Sequence, residues 1–512
     1  MNHLTAPEID YQGLAPLFAV AGGSIVVLMV ALLRSRWVHR VLIPALTVIA
    51  LGAAIGLSIW NWGTGDTKPI VEGALAVDAL SLGLSILCYV AGIATVFLSM
   101  RSHALRQAGS GEYFALLLGS ITGMTVLISS ENLVTLFIGL ELLSIPLYVL
   151  CATEVLKRVS LESGLKYLII GSVGSGTLLY GLAFVYGATG ATDFASISAA
   201  IGDKVSVTDP MLLTGVALVA TGLAFKCSIA PFHTWTPDVY QGAPTPITSF
   251  MAVATKAAAF AVFLRLFVEA FPEIQTVWDD ALVALAVITI IVGNAGAIPQ
   301  RSLKRLLAWS GVAQAGYILT GVIVATQLGT QAMAFYLAVY LVMNMAAFAV
   351  VIARERVSPA GDDISSFEGL GRADPWLAWP LTIAMLGLAG FPVTAGFIGK
   401  FYLLQAAIDA NYDWLAVMIV VGSVISLAYY LRVVAAMWMS PTSIAVQPAD
   451  GRPLRRLVRA GGWSPEAEGR AQPEVLVIAV LMAAAVVVLG VVPSPLLHLA
   501  KDIGTALQNV FS

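Results

Sequence analysis

About fourteen long apolar stretches, each followed by a short polar one, leave this chain few folds to choose from. They fall near 14–33, 41–60, 77–100, 112–130, 132–151, 162–187, 211–231, 244–268, 278–298, 303–325, 331–353, 377–409, 414–439 and 474–497. A helix that crosses the hydrocarbon core needs about 20 mostly apolar residues, so each stretch predicts one membrane span. The 377–409 run is too long for one plain span and predicts a broken helix. Backbone N–H and C=O groups cannot be left bare in lipid. The chain is therefore read as an all-α polytopic membrane protein with about fourteen transmembrane helices. Only 11% of its 512 residues are charged, against roughly 25% in soluble domains, too few to coat a globule with polar surface. A net charge of −3 gives no footprint for a nucleic-acid partner. Cys88, Cys151 and Cys227 lie far apart in apolar runs without a C-x-x-C pair, so they read as small buried hydrophobes rather than zinc or iron–sulfur ligands. The first residues, MNHLTAPEIDYQG, lack the basic region of a signal peptide, and the run after them reads as the first span.

Basic residues set the orientation. With the N-terminus outside, the inside segments hold eighteen lysines and arginines, from Arg34, Arg36 and Arg40 to Arg470, and the outside segments hold Lys68, Lys204 and Lys501. That asymmetry predicts both termini outside and an even number of spans. The longest inside loop, about 440–473, contains RPLRRLVRAGGWSPEAEGR and reads as a solvated linker.

Six basic residues then remain within spans: Lys166, Lys226, Lys256, Arg265, Lys400 and Arg432. Glu141 is the clear acidic counterpart. A charge at the bilayer centre costs about 2.5–3.5 kcal/mol on insertion scales, so it must face protein or water. With a rise of about 1.5 Å per residue, Glu141 lies about 14 Å and Lys256 about 15 Å along their helices, near mid-membrane. Arg265 and Arg432 lie nearer helix ends and are expected to snorkel. Lys166 follows Glu162 by four residues, the spacing of an ordinary helical ion pair, structural or proton-feeding. A static ion pair would account for two of Glu141, Lys226, Lys256 and Lys400. Four on four helices predict a proton relay, because removing a lysine from water disfavours its charged form and a nearby carboxylate restores it.

Two spans carry interruptions. GLAFKCSIAPFH puts Lys226 five residues before Pro231, and GLAGFPVTAGFIGKF puts Pro392 eight residues before Lys400. Proline removes a donor and frees a carbonyl, so both spans are expected to break into half-helices. Such segments in two halves of a chain point to inverted repeats, here five spans from about 112–268 and five from about 278–439. His233, two residues after Pro231, is a candidate for proton uptake or a plain helix-end residue. No two histidines can sandwich a haem within the membrane. GSVGSG at 171–176 follows no strand and reads as close helix packing rather than a nucleotide loop.

At GLELLSIPLYVL (around Glu141), FKCSIAPFHTWTPDVYQGAPTPITSFMAVATK (Phe225 to Lys256) and GFPVTAGFIGKFYLL (Gly390 to Leu404), the chain resembles the antiporter-like membrane subunits of respiratory complex I, most nearly the N type. The resemblance implies fourteen helices, two inverted five-helix repeats and broken seventh and twelfth spans. It divides the chain into three helices in 1–110, repeats in 111–270 and 271–440, and a cytoplasmic loop with a last helix in 441–512. It implies relay roles for Glu141, Lys226, Lys256 and Lys400, and places Lys166, Glu162 and His233 at second-tier polar positions. M-type subunits carry a glutamate where Lys400 stands, and L-type subunits a long lateral helix; neither feature is present. The expected function is proton translocation in a bacterial plasma membrane, coupled at a distance to quinone reduction. The expected partners are sister antiporter-like subunits, other complex I membrane subunits and the lipid bilayer. No cofactor is expected in this chain; flavin, iron–sulfur clusters and quinone would lie in or between other subunits, so the chain alone is not catalytic. The alternatives are a cation/proton antiporter subunit without a redox arm, a membrane scaffold of static ion pairs, and a quinone-binding subunit.

Overall fold

The computed structural model describes residues 9–62, 68–358, 360–440 and 473–507; the linker expected at 440–473 lies, apart from its ends, outside them. Among the described residues thirteen helices are long and apolar enough to cross a membrane. In chain order the helices used below are α1 (Tyr11–Val30), α2 (Ile43–Trp62), α3 (Ala79–Ser99), α4 (Ser110–Ile128), α5 (Leu133–Cys151), α6 (Arg158–Thr189), α7 (Pro210–Cys227) and α8 (Trp235–Gly242). They continue with α9 (Thr245–Ala270) and α10 (Pro272–Ala297). The last are α11 (Leu303–Val324), α12 (Gln327–Glu355), α13 (Pro375–Ala389), α14 (Ala395–Asp409), α15 (Asp413–Met439), α16 (Pro473–Val491) and α17 (Ser494–Thr505). The short α13 and its continuation α14 form one crossing interrupted at Gly390–Thr394, as the over-long 377–409 run predicts.

Burial sorts the helices into a centre and a perimeter. Helices α9, α11 and α12 are enclosed on almost every side, whereas α1, α6 and α16 bury one narrow face. The outer faces expose large apolar side chains such as Ile25, Ile49, Val173, Val424 and Val488, which only lipid or another apolar surface accommodates. Exposed Trp37, Trp60, Trp376, Trp379 and Trp414 sit near helix ends, at headgroup level. Small residues let neighbouring backbones close up. A Cβ on Gly293 of α10 would stand 2.3 Å from the amide nitrogen of Ala313 on α11. Within GSVGSG, a Cβ on Gly174 would stand 2.6 Å from the Phe225 ring, while Gly176 faces open space. Close packing is thus the role of part of that run.

Three features depart from the expectations. Residues Lys68–Ile70 and Leu75–Val77 form a two-stranded antiparallel hairpin, β1 and β2, with Lys68 opposite Val77; its apolar side chains pack with Leu14 and Leu82 over the ends of α1 and α3. The final run, expected as one span over 474–497, ends at Val491. Pro493 cannot donate to the preceding turn, and α17 restarts with Pro495 in its first turn, where no donor is needed. Arg265 does not snorkel. It is 1% exposed, 2.7 Å from Asp78 and 3.3 Å from Glu269, and it also pairs with Glu131. Asp78 precedes α3 and Glu131 precedes α5, so one buried arginine ties the ends of three helices. Arg432 is exposed as expected, and its guanidinium donates to the carbonyls of Ile298 at 2.7 Å and Gln300 at 2.5 Å. It thereby satisfies carbonyls left open where α10 ends.

Candidate functional site

The two helix breaks position the charged side chains. Helix α7 stops at Ser228, which takes the left-handed conformation (φ 64°). Pro231 lies in the following turn, and its missing amide prevents a direct restart. The groups exposed by the break are satisfied locally. Trp235 Nε1 donates to the Phe225 carbonyl at 3.1 Å, the Ala230 amide donates to Thr289 at 3.0 Å, and Thr236 donates to Ser228 at 2.9 Å. Lys226 therefore sits in the last turn before an interruption. Its Nζ donates to Ser144 Oγ on α5 at 2.8 Å and to the Tyr167 hydroxyl on α6 at 3.0 Å, with the Tyr167 ring 5.2 Å away.

The second break is built differently. Gly390 (φ 83°) and Val393 (φ 75°) are both left-handed and Pro392 stands between them. Lys400 reaches back across the gap, its Nζ donating to the carbonyls of Leu388 at 3.0 Å and Ala389 at 3.1 Å. These are end carbonyls of α13, where the helix dipole favours a cation. Lys256 on α9 donates to the Gly311 carbonyl of α11 and lies 5.7 Å from the Tyr340 ring centre. All three lysines are buried, at 2%, 1% and 6% exposure, and none is in an ion pair among the described residues.

Glu141 is half-buried one turn before Ser144, and its Oε1 is enclosed without a hydrogen-bond partner. It makes no ion pair with Lys226, which binds the hydroxyl one turn further along α5. The contact expected between this carboxylate and the lysine is not made in this structure.

The second-tier residues separate into two places. Lys166 pairs with Glu162 at 2.8 Å, the expected i,i+4 contact, and also with Asp238 at 3.2 Å. Asp238 in turn pairs with Arg305 at 2.7 Å. This cluster is partly exposed on the flank of α6, α8 and α11. His233 lies apart from it, 6% exposed, with an enclosed Nδ1 that has no partner and its ring 5.1 Å from Trp309. A further pair was not anticipated: Lys304, counted above as an inside-segment residue, is buried, donates to the Ala243 carbonyl at 3.0 Å and stands 3.6 Å from Glu355. Both line a charged cavity of about 380 Å³ with Glu154, Lys157, Arg356 and Asp362.

Residues 130–426 match the family described as "NADH:quinone oxidoreductase/Mrp antiporter, TM". The chain belongs to this family. It is 37% identical over 98% of its length to NADH-quinone oxidoreductase subunit N 2 of Roseiflexus castenholzii, of which it covers 98%. It is 40% identical over 88% of its length to subunit N 1 of Herpetosiphon aurantiacus, of which it covers 91%. Among solved structures, a chain of respiratory complex I from Thermus thermophilus superposes with a TM-score of 0.76 and 32% identity, over 95% of this chain and 99% of that one. The family match spans α5 to about the midpoint of α15, the part of the molecule that holds every lysine found buried among the described residues.

Proposed function

We propose that this chain is a proton-translocating membrane subunit of a bacterial NADH:quinone oxidoreductase, a multi-pass protein that moves protons through Glu141, Lys226, Lys256 and Lys400 while quinone is reduced in other subunits. The observation that carries the reading is how the three lysines are held: each is buried, and each donates only to neutral oxygens of a hydroxyl or a carbonyl. A scaffold of static ion pairs needs partners of opposite charge, and these lysines have none among the described residues. A neutral host accepts a hydrogen bond from either protonation state, so a proton can leave without stranding a buried carboxylate. Glu141, one turn from the host of Lys226, biases that lysine towards its charged form as it approaches and releases it as it withdraws.

Protons enter from the inside at His233 or the cluster around Lys166, pass Lys226 and Lys256, and leave outward by way of Lys400. Both termini lie outside, and 111–270 and 271–440 act as two inverted units about the broken helices. Sister membrane subunits and lipid cover the exposed apolar faces. The curated relatives are named as oxidoreductase subunits, which favours this reading over an antiporter without a redox arm. Lys226→Ala and Lys256→Ala in the assembled complex, with pumping measured in vesicles against quinone reductase activity, test it. Loss of pumping is expected; normal pumping by either variant would overturn the relay.

A further inference from the structure

Between the host of Lys256 and a host of Lys400 lies a buried amide side chain on α11. Gln314 on α11 is 1% exposed, and every group of its amide is engaged. Its Nε2 donates to the Leu388 carbonyl at 3.1 Å and faces the Tyr430 hydroxyl at 3.4 Å, and its Oε1 accepts from the Tyr336 hydroxyl. The Leu388 carbonyl is also an acceptor for Lys400. One turn earlier on the same helix, the Gly311 carbonyl is the acceptor for Lys256. A single turn of α11 thus touches the host of one lysine and is the host of the other.

We infer that Gln314 is a positioning residue that joins the two lysines, setting how firmly Lys400 is held at the α13 break according to the state of Lys256. The inference rests on the relay proposed above. An amide fits this position for a physical reason. A buried glutamine offers a donor and an acceptor but does not ionise, so it orders its neighbours without trapping the proton. When Lys400 loses its proton, the Leu388 carbonyl loses its charge-assisted bond and keeps the one from Gln314. The helix end stays satisfied, and α13 need not refold with each turnover. When Lys256 changes charge, the pull on Gly311 changes, and α11 transmits it to Gln314 through one helical turn. Tyr336 and Tyr430 fix the orientation of the amide, so it cannot turn away.

The test uses the assembled complex in vesicles. Gln314→Leu, close in size but unable to bond Leu388 or Tyr336, is expected to assemble and to lower pumping about tenfold. Gln314→Glu keeps the shape and adds an acid among Lys256, Lys400, Tyr317, Tyr336, Tyr340 and Tyr430. It is expected to move the pumping profile towards higher pH, because a neighbouring carboxylate strengthens the hold of Lys400 on its proton. Tyr336→Phe, which frees the amide to turn, should give an intermediate loss. Wild-type pumping and an unmoved pH profile in both Gln314 variants would overturn the inference. If Gln314→Leu fails to assemble, the profile of Gln314→Glu decides alone. Lys226→Ala measured beside them separates the two proposals: its normal pumping would sink the relay itself, whereas its loss with unaffected Gln314 variants would sink only the joint.

Discussion

A residue-scale lesson comes from Arg265, where position along a helix misleads. Near a helix end a long cation can reach water, so sequence alone gives snorkelling. Folding instead brings Asp78 and Glu131, far away in sequence, to the same point. Removing one partner of such a buried cluster costs about 3–5 kcal/mol. Arg265→Leu should therefore lower the thermal stability of the detergent-solubilised protein far more than Arg432→Leu, whose guanidinium is exposed. Asp78 has a second task, since its carboxylate also accepts from the Ser81 amide at 2.7 Å and caps α3. Asp78→Asn keeps a capping oxygen, so it should cost less than Asp78→Ala in the same assay. Gly311 has a different constraint: a Cβ there would stand 3.2 Å from Lys256 Nζ and 3.0 Å from the Tyr340 hydroxyl. Gly311→Ala is expected to displace the ammonium from its carbonyl and lower pumping several-fold in an assembled complex. Glu141, Lys226, Lys256 and Lys400 were legible as charges that lipid excludes. Their hosts were not, because Ser144, Tyr167 and backbone carbonyls look unremarkable until folding brings them to a lysine.

Elements were read more securely than contacts, for reasons that lie in the bilayer. A span must be apolar over a fixed length, so the helices appear in the sequence directly, and both breaks announce themselves through proline. The hairpin β1–β2 is three residues a side and gives too short a pattern to see. The split between α16 and α17 was hidden because apolar residues continue past Val491 even though Pro493 ends the helix. At the breaks, a few groups hold two half-helices in register, and each can be removed singly. Trp235→Phe deletes the donor to the Phe225 carbonyl and should cost about 0.5–1.5 kcal/mol. Gly390→Ala forces a side chain into the left-handed region, at about 1–2 kcal/mol, and brings a Cβ within 3.0 Å of Lys400 Cδ. Melting in detergent checks both costs. Gly390→Ala should impair pumping beyond its effect on stability, because it crowds the lysine itself.

At the scale of the whole molecule, the uneven share of lysine and arginine between the inside and outside segments of the sequence carries a topological prediction. In intact cells, a membrane-impermeant maleimide should label Lys204→Cys readily and Arg36→Cys only after permeabilisation. Background is low because Cys88, Cys151 and Cys227 are all buried. The reverse pattern would invert the assigned direction of pumping. The neutral hosts of the lysines have one more consequence. Carbonyl oxygens converging on a cation, as at Leu388 and Ala389, are also the coordination chemistry by which proteins hold bare alkali ions. In this chain the seat is already filled by a cation anchored to its own backbone, which can surrender a hydrogen nucleus but cannot itself depart. A tethered occupant of that kind competes with any alkali ion for the seat while it can still pass on a proton.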